Sequence, residues 1–278
     1  MSNDLEFNPG KEPKLIIENG DARAVSYDGS TEFISALTFN RKLKLRDIQF
    51  YCGAILNNRF FDQPLVPSEM AWVTRNTEIP IGDVPKAKIV KMMKAEHSRA
   101  LLEEGRIRLG SIEQYRKSEL DEVGDPSEGI CVIVAYDGEE THIRHVRGGL
   151  NDWIFCCSRG EPDASVMERF GYDSGIEIVD VQGFSRTIGK AVGAIRSTYS
   201  CCIYSKDRAL YGEVKDKLSI DDMRNGNFGE LLGNARAFIK PAHYWHQSEF
   251  RFLWRGRERT ADYIDVVCPG LGKFCRPI

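Results

Sequence analysis

The chain has 278 residues, 42% hydrophobic and 28% charged, an ordinary globular balance with room for one large domain or two modest ones. A formal net charge of -3 excludes nucleic-acid binding driven by overall charge, although it leaves room for a local basic patch. No apolar run approaches the roughly 20 residues that span a bilayer, and the polar start MSNDLEFNPGKEPK lacks the apolar core of a signal peptide. The expectation is a cytoplasmic protein with no membrane association.

Residues 1–13 read as a disordered tail. From Lys14 to about Phe61, the runs LIIENG, ARAVSY, EFISALTF and KLKLRDIQFYCGAIL read as strands, with Asn19-Gly20 and Asp28-Gly29 as hairpin turns. Pro64, Pro67, Pro80 and Pro85 then punctuate a connecting stretch. The division expected is a β-rich region over 14–84 and a second domain over 85–278. In that second part, KIVKMMK (88–94) suits a short strand, AEHSRALLEEG (95–105) a helix ended by Gly105, and RIRLGS (106–111) a strand. IEQYRKSELDE runs from a helical turn into an acidic loop, and CVIVAY and THIRHVR form a hairpin around Asp137-Gly138. NDWIFCCS, the helical SVMERFG, the strand GIEIVD and an amphipathic helix over 181–197 follow, then the strand SCCIYS. Residues 206–228 read as a polar loop, NFGELLGNARAFIK as helical, and ADYIDVVC as a closing strand. Strands and short helices alternate irregularly, so the fold class is α+β with a mixed, mostly antiparallel sheet.

The segment YWHQSEFRFLW (244–254) carries the most chemical information. Read as one extended strand, it sends Gln247 and Glu249 to one face and Phe250, Phe252 and Trp254 to the other. Such a strand buries aromatics on one side and offers a carboxylate and a carboxamide on the other. Elsewhere, the eight cysteines contain no C-x-x-C knuckle and no paired histidine spacing, so no metal is expected. The adjacent cysteines in IFCCS and YSCCIYS point to opposite strand faces, which suits packing. There is no dinucleotide-binding glycine fingerprint, no phosphate-binding P-loop and no G-x-S-x-G elbow.

The order of elements from residue 88, ending in Gln-x-Glu on a late strand, resembles the ADP-ribosyltransferase superfamily. KIVKMMK, LLEEGRIRLGS, VGDPSEG, FCCS and YWHQSEFRFLW look more closely like a bacterial family of toxins or phage-defence effectors of transferase type. The resemblance covers roughly residues 88–267. It implies a split sheet with NAD as co-substrate in a cleft, and Glu249 as the carboxylate that stabilises an oxocarbenium-like ribose. Gln247 would meet the acceptor and favour an amide or base edge over a guanidinium. Lys91 or Arg108 would hold NAD phosphate or ribose, Ser111 or Ser158 would steady the nicotinamide ribose, and Tyr115 would stack on nicotinamide. KIVKMMK offers lysines where the family's usual first-strand residue is Arg or His, and a lysine binds phosphate without arginine's fork.

Arg251, Arg255, Arg257 and Arg259 supply a local basic track beside the motif, with Tyr244 and Trp245 placed to stack on a base. The acceptor implied is RNA, DNA or a protein, and an antitoxin or inhibitor protein is a further partner. Two other classes remain open. One is a non-catalytic partner-binding module whose N-terminal β region recognises a ligand. The other is a metal-dependent nuclease built on Glu177 and Asp180.

Overall fold

The protein was analysed as a computed structural model. It describes residues 16–18, 21–25, 31–44, 46–48, 51–52, 84–117, 125, 127–149, 151–205, 208–213, 236–257 and 262–278. The expected tail over 1–13, the prolines at 64, 67 and 80 and most of the loop over 206–228 lie outside these residues. The chain is α+β and its sheets are mostly antiparallel. It divides into two compact units, and neither is continuous in sequence.

The first unit takes Met1–Ile79, Gly129–Leu150 and Tyr204–Ala242. The expected break near residue 84 thus catches only the end of its first segment; the CVIVAY–THIRHVR hairpin also belongs to this unit. Among the described residues, its sheet has six strands in the order Ile16–Glu18, Asp21–Val25, Thr31–Phe39, Thr141–Gly148, Ile130–Tyr136 and Ala209–Glu213. The last of these runs parallel to its neighbour. Leu43, Ile48, Cys52, Val132, Val134, Ile143 and Ala209 form its core. KLKLRDIQFYCGAIL does not continue the β run: residues 46–48 and 51–52 are helical, and Ile48 and Cys52, four apart, enter the core together. The hairpin closes at Asp137-Gly138 as expected, with the Asp137 carboxylate accepting from the Glu139 and Glu140 amides.

The second unit takes Pro80–Glu128, Asn151–Ile203 and His243–Ile278. Its strands are β1 (Ile89–Met93), β2 (Arg106–Ser111), β3 (Asp152–Arg159), β4 (Ser174–Ile178), β5 (Arg196–Cys201), β6 (Glu249–Arg255), β7 (Tyr263–Val267) and β8 (Cys275–Pro277). The spatial order is β5-β6-β3-β1-β4-β8, with β2 joining β3 and β7. One edge of β3 therefore serves two strands. β1 meets it at Ser158 and Arg159, whereas β2 meets it at Trp153 and Ile154. The sheet forks between these contacts, at Phe155–Cys157.

Among the described residues, four helices flank this sheet: α1 (Ala95–Arg99), α2 (Ile112–Lys117), α3 (Ala164–Phe170) and α4 (Val181–Ala191). α1 runs into a π turn over Ala100–Glu104 that ends at Gly105, whose φ is +69°. α4 starts under an Asp180 side-chain cap on the Gly183 amide and stops at Ala191, six residues short of the expected end. Residues 196–197 belong to β5, because Arg196 and Ser197 pair with Arg255 and Trp254. Against α4 lies the aromatic face of the sheet. Phe184 sits 5.1 Å from Phe252 and 5.8 Å from Phe155, and Trp254 donates its indole N–H to the Ser185 carbonyl at 2.8 Å. These rings, together with Phe250, belong to the apolar core of this unit, and aromatic rings are the largest side chains such a core can bury.

Candidate functional site

β6 is buried along all seven residues, on both faces. Phe250, Phe252 and Trp254 occupy the α4 side, as the alternation requires. The other side carries Glu249, Arg251, Leu253 and Arg255. β3 runs antiparallel beside it and sets Ser158 opposite Glu249, Cys156 opposite Arg251 and Asp152 opposite Arg255. Ser158 in turn faces Val90 of β1. Glu249 and Ser158, from segments far apart in sequence, are thus direct cross-strand neighbours on one face.

Gln247 is not part of that strand. It ends a 3-10 helix over Ala242–Gln247, and Ser248, with φ +43°, turns the chain before β6 begins at Glu249. The Ser248 amide donates to Trp245 O at 3.1 Å and its carbonyl accepts from the Arg159 amide at 2.9 Å, so the turn is held at both ends. A single left-handed residue cancels the expectation of a continuous strand through residues 244–254.

Glu249 is 5% exposed and is held by Arg251, whose Nε donates to Glu249 Oε1 at 2.5 Å. The Arg251 terminal nitrogens donate to both carboxylate oxygens of Glu128, at 2.6 and 2.9 Å. Burial works against the Arg251 charge, but the Glu128 and then the Glu249 carboxylates more than offset it and hold the guanidinium protonated well above its ordinary range. Glu128 belongs to the DPSEG loop. That loop is tied to α2: Asp125 N donates to Tyr115 O at 3.0 Å, Glu128 N to Asp125 O at 2.8 Å, and Arg116 Nε to Glu128 O at 2.5 Å. Sequence reasoning quoted this loop within the family resemblance yet assigned Glu128 no role. The available signal was an acid in one motif and, in another, an arginine that the basic-track reading had turned toward the acceptor.

Tyr115 and Cys156 lie beside these groups. Tyr115 is partly buried on α2, and its ring lies against Gly110, where an added Cβ would come within 2.8 Å of a ring carbon. Its hydroxyl is pushed well above the ordinary range by the Cys156 sulfur first, then by burial and by Glu249. Burial, followed by the Glu249 charge, pushes the Cys156 thiol up to about 12. Cys156 is therefore a protonated donor at neutral pH and not a ready nucleophile.

The other expected residues lie elsewhere. Lys91 falls on the opposite sheet face, beside Ile89 and Met93, with its ammonium 5.3 Å from the Phe155 ring centroid. Arg108 is exposed, bonded twice to Asp265 at 2.8 Å and stacked over Tyr263. Asp265, first through its hydrogen bond, raises the Arg108 pKa. Ser111 is buried, and its hydroxyl accepts from the Gln114 amide at 3.1 Å at the start of α2, a capping duty. None of these three joins Glu249.

Arg251 and Arg255 do not form an open basic track either. Arg255 is buried and bonded to Asp152 at 2.9 and 3.3 Å. Arg257 is exposed, and Arg259 lies outside the described residues. Trp245 is 68% exposed on the 3-10 helix, and Tyr244 is partly buried with the His243 ring 4.1 Å away. The acids of the nuclease alternative have structural duties: Glu177 is bonded twice to Arg276 at 2.9 Å, and Asp180 caps α4. In the first unit, Asp137, Glu140 and His142 bring ligand-type atoms within 4.8 Å of one another. Asp137 there closes the hairpin turn and meets His142 Nε2 at 3.1 Å.

The eight cysteines are free thiols. No helix among the described residues is long and apolar enough to cross a membrane. Comparison of the chain with protein families, with curated proteins and with solved structures finds no match.

Proposed function

We propose that this protein is an NAD-dependent ADP-ribosyltransferase, an intracellular toxin or anti-phage effector in which Glu249 is the carboxylate that meets the ribose. One observation carries the reading. The Glu249 strand, the FCCS strand and the KIVKMMK strand are consecutive neighbours, β6-β3-β1, although about 60 residues or more separate each from the next in sequence. Their order brings Glu249 and Ser158 side by side on the face that Tyr115 also reaches, beside a fork in the sheet. Cleavage of the nicotinamide–ribose bond develops positive charge on the ribose, and a fixed carboxylate in a water-poor site stabilises it. Ser158 offers a hydroxyl to the same sugar and Tyr115 a ring to nicotinamide. Nicotinamide leaves neutral, so one carboxylate suffices. The exposed Trp245, four residues before Glu249, fits an acceptor with a stackable base in RNA or DNA. A protein acceptor is the alternative within the same chemistry.

The test is incubation of the purified protein with labelled NAD together with RNA, DNA or cell lysate. Label transfer is expected for wild type and a loss of at least about 100-fold for Glu249→Gln, in line with removal of one charge-stabilising group. Glu249→Gln leaves the Arg251–Glu128 pair in place, so a folded protein is expected by circular dichroism. Absence of both transfer and NAD hydrolysis with every acceptor class present would sink the reading.

A further inference from the structure

Glycine weakens a strand interior, and it stands there where another group comes close. Gly110 is the fifth residue of β2, paired with Ile154 of β3 and with Tyr263 of β7. Its φ lies outside the left-handed region, so its backbone suits any residue. Space is what it provides. An added Cβ would come within 2.8 Å of the Tyr115 ring carbon Cε2 and 2.7 Å of Gln114 Oε1. The Gln114 oxygen is the tip of a flexible side chain and can swing away, whereas a ring moves only as a whole. We propose that Gly110 is a positioning residue for Tyr115: its missing side chain is the seat that lets the ring lie against β2, as one wall of the nicotinamide position.

This inference rests on the reading of Glu249 as the ribose-facing carboxylate, with Tyr115 beside nicotinamide. β2 passes into α2 with no residue between them, since Ser111 ends the strand and Ile112 opens the helix. The Ser111 hydroxyl accepts from the Gln114 amide and fixes that corner. The helix thereby doubles back over the strand it leaves, and position 115 meets position 110. Ile154, opposite Gly110, shares the β3 face of Cys156, so a ring seated there is already on that side. Tyr115 donates its hydroxyl to the Cys156 sulfur, and the Cys156 thiol in turn meets Glu249. Ring and carboxylate are held one sulfur apart. That separation suits a flat aromatic amide whose bond to ribose is being cleaved. Stacking acts alike on bound substrate and transition state, so its loss raises KM and leaves kcat nearly unchanged.

The first test follows Tyr115 itself. Wild type and Gly110→Ala are nitrated with tetranitromethane at pH 8, and the product is mapped to single tyrosines by mass spectrometry. Wild-type Tyr115 is expected to react slowly, because the Cys156 sulfur, burial and Glu249 hold its hydroxyl protonated. In Gly110→Ala the displaced ring is expected to react about tenfold faster or more, one pH unit of phenolate. Tyr136 of the first unit and Tyr199, which packs against the core of the second, are expected to keep their rates. In NAD turnover, Gly110→Ala is expected to raise KM about tenfold, the size of one lost stacking contact, with kcat within about threefold.

If wild type turns over no NAD, the transferase reading fails, while nitration still decides whether Gly110 seats Tyr115. An unchanged Tyr115 rate in Gly110→Ala overturns the proposal, as does a displaced ring with unchanged KM in an active enzyme. If Tyr199 nitrates faster together with Tyr115, the fold is lost and a stability cycle decides. The fall in urea midpoint caused by Gly110→Ala is measured in wild type, in Gln114→Ala and in Tyr115→Ala. It is expected to persist without the Gln114 side chain and to shrink by about half or more without the Tyr115 ring. An equal fall in all three backgrounds overturns the proposal, as does a fall that vanishes only with the Gln114 side chain.

Discussion

Ser248 shows how much one backbone angle controls. Its φ of +43° is a conformation that costs an L-residue about 1–2 kcal/mol. The two backbone bonds that hold it in place supply the compensation. Its position between Gln247 and Glu249 interrupts the strand alternation that would align a carboxamide with a carboxylate. A β-branched side chain tolerates this region least, so Ser248→Val is expected to lower unfolding stability by about 1–2 kcal/mol in a urea titration. Ser248→Gly is expected within about 0.5 kcal/mol of wild type, because glycine's freedom in this region is offset by its cost in the unfolded chain. At this scale the sequence was legible in part. Glu249 and the aromatic alternation of 250–254 could be read from period two. The turn could not, since serine carries no marker for positive φ, and the Glu128–Arg251 pair joins residues too distant for any local pattern to couple.

Elements were more legible where one local rule dominated. RIRLGS begins and ends where its alternation and flanking signals place it, and Gly105 closes the preceding helical segment as its position suggests. That glycine is required twice over. Its φ is left-handed, and an added Cβ would lie 1.9 Å from the Cys268 carbonyl oxygen, a backbone atom that cannot step aside. Gly105→Ala is therefore expected to cost more than the roughly 1–2 kcal/mol of the left-handed backbone. A fall in the urea midpoint at unchanged slope checks it. Where two patterns compete, the sequence misleads. VQGFSRTIGKAVGAIRS keeps helical spacing to its end, yet residues 196–197 complete the sheet beside β6 because strand pairing offers them a ladder. KLKLRDIQFYCGAIL alternates well enough for a strand, and the core contacts of Ile48 and Cys52 favour a helical turn instead.

Across the whole molecule, the α+β class could be read from the irregular mixture of elements, whereas the division into units could not. The first unit takes back residues 129–150 and 204–242 after the chain has entered the second, and composition gives no sign of such returns. This unit also holds the clearest acid-sensitive group. Burial lowers the His145 pKa from 6.5 to about 4, and its Nε2 has no hydrogen-bond partner among the described residues. Between those values the unfolded chain binds a proton that the folded chain refuses, so folding stability rises with pH across the window and falls as acid is added. Wild type is expected to lose more stability than His145→Gln between pH 7 and pH 4.5 in matched urea titrations. Parallel curves for the two proteins would remove His145 from the account.

The fork at β3 has a kinetic consequence. β3 is the shared partner of β1, β2 and β6, and the bonds that join its face to β6 link residues 103 positions apart, as between Asp152 and Arg255. Pairings of such separation must close a long loop before any contact rewards it, so the second unit belongs among slow-folding topologies. During synthesis, β3 leaves the ribosome long before β6 and waits with an open edge. Glu249 cannot meet Ser158 or the Glu128–Arg251 pair until synthesis has passed β6, about 90 residues after β3. Assembly of the polar cluster is thereby tied to synthesis of β6, and a product truncated before it would carry FCCS and DPSEG without the carboxylate they surround.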